Sequence, residues 1–200
     1  MSNINAAAVD LFIAKAKPVT IQVSTANNLD EAMNFALDLC DKQPLGKLML
    51  DTGAPPDESR KKTFSAPGVD EKLWGYLVDG GSKKGFEMIR GGLRKYLAGI
   101  DMSFTVADLG IADTASCVVE CQSEDERLAA MICERHVVAL SKSKIVSESY
   151  EAEPFLKAAM AKERNYTAFI SGPSRTADIE RVLTLGVHGP LELYLVLLEN

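Results

Sequence analysis

Strands that alternate with helices and close on a fully apolar strand predict an α/β layered fold, one domain built on a mixed, mainly parallel sheet. Three stretches carry that class. In residues 19–24, Val19, Ile21 and Val23 alternate with Thr20, Gln22 and Ser24, as a half-buried strand does. The period then changes, and Leu29, Ala32, Met33, Ala36, Leu37 and Cys40 fall on a single helical stripe. Residues 192–198, ELYLVLL, are apolar on both faces, the pattern of a central strand covered from both sides.

The remaining elements follow in order. The opening MSNINAAAVDLFIAKAK has no basic segment ahead of its apolar part and carries Asp10 within it, so it predicts an amphipathic helix rather than a signal peptide. Asn27 or Asn28 can cap the helix that begins near Leu29. Residues 47–50 predict the next strand, and 52–68, TGAPPDESRKKTFSAPG, an exposed loop rich in Pro, Gly and charge. Helices are predicted over 70–77 and 85–97, although Gly91-Gly92 weakens the second by about 1 kcal/mol per glycine relative to Ala. DGGSKKG at 79–85 has the order Gly-Ser-Lys, not the Gly-Lys-Ser of a phosphate loop, and reads as a turn. From Val106, VADLGIADTASCVVEC predicts two short strands around Asp113-Thr114-Ala115, with Asp113 at the apex. A helix over 124–135 with Leu128, Met131 and Ile132 inward, a strand over 137–140, a helix over 151–163, and strands over 168–171, 182–187 and 192–198 complete the chain.

A 200-residue chain that is 46% hydrophobic and 25% charged can bury a sizeable core. Its formal charge of −6 opposes non-specific binding to nucleic-acid backbones and anionic membranes, and the short clusters Arg60-Lys61-Lys62 and Lys83-Lys84 read as solvated surface. No apolar run approaches the roughly 18 to 20 residues of a membrane span, so a cytoplasmic location is expected. Cys40, Cys117, Cys121 and Cys133 form no C-x-x-C pair and sit in apolar patterns, as reduced core thiols do. Cys117 and Cys121 could share a metal on a helix; on the strand that SCVVEC predicts they would lie roughly 13 Å apart. No metal site is therefore expected.

Polar groups with chemistry concentrate in 170–190, ISGPSRTADIERVLTLGVHGP. Gly172-Pro173 turns the chain after a strand, and Ser174 or Thr176 can cap a short helix beginning there. Free N–H groups at such a start attract anions, and Arg175 beside them can grip a carboxylate or phosphate with both arms. An alternative is a local Arg175–Asp178 ion pair that only stiffens the loop, worth about 0.5 kcal/mol if exposed. His188, in GVHGP, has a pKa suited to acting as a base or to hydrogen-bonding a substrate oxygen, or it ties two turns together. His136 begins a strand and is a group of the same kind. Ser171, Gly172, Ser174, Arg175, Thr176, Asp178 and His188 are thus candidate ligand-binding residues, expected to converge on one concave site at the ends of neighbouring strands.

The stretch SGPSRTADIE…LGVHGP.EL, gap-free over 171–193, resembles the C-terminal signature of the LUD domain, the lactate utilization protein C family. Ala107-Asp108, Ile111-Ala112 and Thr114 resemble that family's AD..IAETGT pattern, and Arg127-Leu128 and His136 its downstream Arg-Leu and His. The resemblance covers roughly 99–198; the family's Glu is Asp113 here, its Gly is Ala115, and its Gly-Asn is Asp125-Glu126. It implies a fold similar to ribose-phosphate isomerases and CoA-transferases. It also implies an accessory role in oxidising L-lactate, or a related 2-hydroxy acid, beside separate iron–sulfur proteins, with no cofactor in this chain. Asp113 and His188 become candidate reacting groups, with Thr114, Arg127 and His136 in support. A stand-alone enzyme for an acyl, phosphosugar or folate-type substrate, or a non-catalytic ligand sensor, is compatible with the same fold.

Overall fold

The computed structural model describes residues 4–46, 59–163, 166–176, 184–185 and 189–199. Helix α1, Ala6–Ala16, starts where the Asn5 side chain accepts from the Ala8 amide. Strand β1, Ile21–Ala26, precedes helix α2, Leu29–Lys42, which is capped by Asn28 and buries Ala32, Met33, Ala36, Leu37 and Cys40. Then come β2, Thr63–Ser65; α3, Glu71–Lys83; β3, Glu87–Ile89; and β4, Ile100–Val106. Strands β5, Leu109–Ile111, and β6, Ser116–Cys121, form the expected hairpin. Helix α4, Glu124–Ala129, leads to β7, Cys133–Ser141, then β8, Ile145–Val146, and α5, Glu153–Met160. The chain ends with β9, Tyr166–Ile170; β10, Arg175–Thr176; β11, Thr184–Leu185; and β12, Glu192–Leu198.

Six strands lie parallel in the order β1-β12-β7-β4-β2-β3. A second sheet, β8-β5-β6-β9, is mixed, with β6 antiparallel to both neighbours and β5 parallel to β8. Strands β10 and β11 form a separate antiparallel pair. The large sheet is buried on both faces. On one, Met33 and Leu37 of α2 and Leu77 of α3 meet Phe64, Phe104 and Val196; on the other, Phe12 of α1 and Cys117 of β6 meet Val138, Leu193 and Leu195. Strand β12 therefore gives alternate residues to two cores, as its unbroken apolar run requires.

Four expectations are corrected. Residues 63–65, inside the stretch expected to be an exposed loop, form a buried strand paired to both β3 and β4; the strand expected at 47–50 and the first part of that loop lie outside the described residues. The predicted turn over 79–85 is largely helix, since α3 continues to Lys83, with Gly80 against Leu37 and Gly81 against Met88, where larger residues would collide. The helix expected over 85–97 is instead β3 and a 3-10 turn, Leu93–Tyr96, because Gly92 takes φ +73° and breaks any helix there. The helix over 124–135 stops at Ala129, leaving Met131 exposed, because Cys133 and Arg135 pair with β4 and Arg135 also with β12. Sheet pairing there overrides a helical pattern in the side chains.

A buried carboxylate holds the start of this sheet. Asp101, 3% exposed, accepts from the amides of Gly46 (2.6 Å) and Thr63 (2.8 Å), from Thr63 Oγ1 (2.8 Å) and from both arms of Arg60 (2.6 and 2.8 Å). Burial works to raise its pKa, but the donors from Arg60, Thr63 and Gly46 outweigh it and hold the group below the usual carboxylate range. The charge therefore stabilises the fold above the ordinary carboxylate pKa, and that contribution fades in acid. Asp101→Asn removes the charge while leaving Arg60 in place, and should cost on the order of 3 kcal/mol in urea unfolding at neutral pH. A loss under about 1 kcal/mol, the value of an exposed pair, would contradict this account.

Candidate functional site

Strand β9 ends at Ile170, and the chain turns through Ser171, Gly172 and the buried Pro173. Gly172 has φ +108°, and a Cβ there would lie 2.7 Å from the Val19 carbonyl oxygen, so both conformation and space demand glycine. The Ser174 amide then donates to the Pro190 carbonyl at 2.8 Å, which holds the two limbs of the loop side by side. A helix starting at Ser174 or Thr176 was expected. The chain enters strand β10 instead, with Arg175 opposite Leu185 and Thr176 opposite Thr184. Asp178 and His188 lie outside the described residues.

These limbs wall a cavity of about 390 Å³ lined by the length of β9, by Arg127, Ala130 and Met131 at the end of α4, and by Ser171, Gly172, Ser174, Arg175, Gly189 and Pro190. Among the described residues no carboxylate lines it, although the chain as a whole carries a charge of −6. Arg127 lies over the Tyr166 ring, 5.1 Å from its centroid, and reaches Glu124 at 3.3 Å; its Nε is buried with no hydrogen-bond partner among the described residues. The exposed guanidinium of Arg175 folds towards Gly172. Ser171 shares a 2.6 Å hydrogen bond with the buried Ser116, which shares one of 2.7 Å with Thr114. The hairpin is thereby fastened to the loop. The Arg175 guanidinium and the neighbouring Ser171 and Ser174, with no carboxylate among the described lining residues, suit a small anion.

Of the expected site residues, the structure brings Arg127, Ser171, Gly172, Ser174 and Arg175 to this cavity, with Thr114 behind Ser171. Asp113 does not line it. Its carboxylate accepts from the Ser149 hydroxyl at 3.1 and 3.0 Å and from the Ser149 amide at 3.4 Å, which ties the hairpin to the 3-10 turn Ser149–Ala152. Ala115 fills the family's glycine position with φ +50°, and its methyl is fully buried in the core. Tyr166, Phe169 and Met131 also line the cavity and were not expected there, because apolar residues in a strand or helix pattern read as core. The cavity lies where β1, β7 and β12 begin. A second cavity of about 340 Å³ lies at the other end, past β4, with Thr105, Asp108, Glu120, Glu126 and Lys162 among its lining. Its carboxylates are already engaged by the Glu120 and Gln122 amides and by Lys162.

Comparison with known proteins places this geometry. A family model described as the LUD domain matches residues 9–198. The chain belongs to the LUD domain family. The LUD chain is 32% identical over 104 residues to lactate utilization protein C of an Exiguobacterium species, covering 50% of this chain and 45% of that protein. It is 28% identical over 109 residues to lactate utilization protein C 1 of Bacillus mycoides, covering 53% and 47% respectively. The matched stretch thus spans about half the length of these relatives. A crystal structure of a DUF162 family protein from Deinococcus radiodurans superposes with a TM-score of 0.63 over 96% of this chain and 97% of that one, at 17% identity. That likeness shows the shared fold.

His136, which follows the family's pattern, sits in β7 with no exposure, its Nε2 sharing a 2.9 Å hydrogen bond with Thr105 Oγ1 and its Nδ1 unpartnered. It is not part of the cavity lining. Burial pushes its pKa from 6.5 down to about 4, so the folded imidazole is neutral. Between those values the unfolded chain binds the extra proton, and stability must fall as the pH falls. From pH 7 to pH 5 this group alone should cost about 2 kcal/mol. Urea unfolding of the wild type and His136→Gln at both pH values should show a smaller acid loss in the variant by about that amount; equal losses would contradict the neutral buried state.

Proposed function

We propose that this LUD domain is an accessory component of an L-lactate, or related 2-hydroxy-acid, utilization system, and that it binds a small anion at Arg175, beside Ser171 and Ser174. The relatives named lactate utilization protein C support the system. The observation that carries the anion site is the exposed Arg175 guanidinium beside Ser171 and Ser174, in a cavity with no carboxylate among its described lining residues. A carboxylate placed there would accept from Arg175, with the Ser171 and Ser174 hydroxyls beside it. Among the described residues these groups would bind and position the anion, and His188, the candidate reacting group of the same loop, lies outside them.

Redox partners carry the electrons in this proposal, and they hold the iron–sulfur clusters. The thiols of this chain suit core packing better than cluster ligation. Cys40 lies on α2, Cys117 and Cys121 on β6 and Cys133 at the start of β7, and all four are buried. Burial pushes the thiols of Cys40, Cys117 and Cys133 up to about 12 and that of Cys121 to about 11, whereas cluster ligands are thiolates.

Lactate, pyruvate or inorganic phosphate should raise the melting temperature by binding the folded state. Arg175→Ala should weaken that response roughly ten- to a hundredfold in concentration, the cost of one charge-assisted contact of about 1.5 to 3 kcal/mol. Identical thermal-shift series for wild type and variant with every anion would overturn the site.

A further inference from the structure

The hydroxyl chain behind the cavity has a direction. Cys117 of β6 lies opposite Ile170 of β9, so the antiparallel register carries Ser116, the first residue of β6, to Ser171, the residue after β9, where their hydroxyls share the 2.6 Å hydrogen bond. Ala115, with φ +50°, folds the chain so that Thr114 Oγ1 comes within 2.7 Å of Ser116 Oγ. Ser116 is 4% exposed, and both of its neighbours are exposed: Ser171 on the cavity wall and Thr114 in the turn of the hairpin. Each hydroxyl has one proton to give. If Thr114 and Ser171 both donated to Ser116, the buried Ser116 proton would have no acceptor within the three, an unfavourable arrangement. The protons therefore run one way: outward, from Thr114 through Ser116 to Ser171, or inward, from Ser171 to Thr114.

We propose that Thr114 and Ser116 are positioning residues of the anion site, a hydroxyl relay that turns the Ser171 proton into the cavity. The inference rests on the anion reading of Arg175 and deepens it. An ionised oxygen offers lone pairs and no proton, so only the outward direction leaves Ser171 a proton to give it. In that direction Ser171 accepts from Ser116 and Ser116 accepts from Thr114, and each bond accepted polarises the hydroxyl towards its own acceptor. Burial of the middle member adds to this, because a low local dielectric strengthens such bonds. Thr114 ends the relay at the surface, where water can donate to it. Arg175 supplies charge from the Gly172 side, and Ser171 supplies a directed donor on the same wall. Neither Ser116 nor Thr114 lines the cavity, so each acts on the anion through Ser171.

Isothermal titration calorimetry of the full chain with inorganic phosphate tests the relay. Ser171→Ala should weaken phosphate binding about tenfold, and Ser116→Ala nearly as much. Thr114→Val keeps the shape of an exposed side chain and leaves the bond between Ser116 and Ser171 in place, so the fold is not at issue. It should lose about threefold, and Thr114→Ser, which keeps the hydroxyl, should bind within about twofold of wild type. In a Ser171→Ala background, Thr114→Val and Ser116→Ala should cause no further loss, whereas groups that only brace the hairpin would weaken binding equally with or without the Ser171 hydroxyl. Additive losses would overturn the relay. So would Thr114→Val and Ser116→Ala variants that bind phosphate like wild type while Arg175→Ala does not, a result that leaves the anion site standing. No phosphate binding by the wild type at millimolar concentration would overturn both.

Discussion

The last strand of this protein is inserted in the middle of its sheet. Strand β12 lies between β1 and β7, parallel to both, and gives Leu193, Leu195 and Leu197 to one core and Tyr194, Val196 and Leu198 to the other. Neither core closes without it. The chain must therefore leave β9, at the edge of the small sheet, and cross to the starting end of β12 in the large one. That crossing is the signature loop, and its limbs are clamped by the Ser174 to Pro190 hydrogen bond and by the fit of Gly172 against Val19. The cleft is a product of how the core is completed. Its described residues run from the end of β9 in one sheet to the start of β12 in the other.

Electrostatics then divides the molecule. Its acidic groups near the sheet are spent on structure: Asp101 on Arg60 and on amides of neighbouring segments, and Glu192 on Arg135, which is only 6% exposed. Among the described residues, the cavity beside the signature loop has arginines and no acidic lining residue, and Arg127 is linked to Glu124 at its margin. In a chain with an excess of acid, such a cleft suits the small anion proposed at Arg175.

Much of the fold was legible because its signals are local. The stripe of α2, its Asn28 cap and the two-sided apolar run of β12 each follow from neighbours in sequence. What was not legible depends on distant pairing. Strand β2 is three residues in a polar stretch, made a strand by β3, β4 and the Asp101 carboxylate. Cys133 to Arg135 continue a helical pattern yet pair as β7. At the site, the loop residues Ser171, Ser174 and Arg175 could be read from composition, and Arg127 only from resemblance. Asp113 looked chemically free; its pairing with Ser149 is a tertiary contact no spacing announces. The exposure of Phe169 and Tyr166 escaped for the opposite reason, since an apolar strand residue gives no hint that its side chain faces a cavity.

The central claim is that ligands meet this fold at the starting end of β12 and not beyond the far end of β4, where open α/β sheets more often bind them. Backbone amide shifts of nitrogen-15-labelled protein, followed by NMR during titration with inorganic phosphate, test it directly. The account predicts saturable shifts at Ser171, Gly172, Ser174, Arg175 and Gly189, with Gly68, Asp108 and Gln122 unmoved. Shifts confined to Gly68, Asp108 and Gln122 would contradict it.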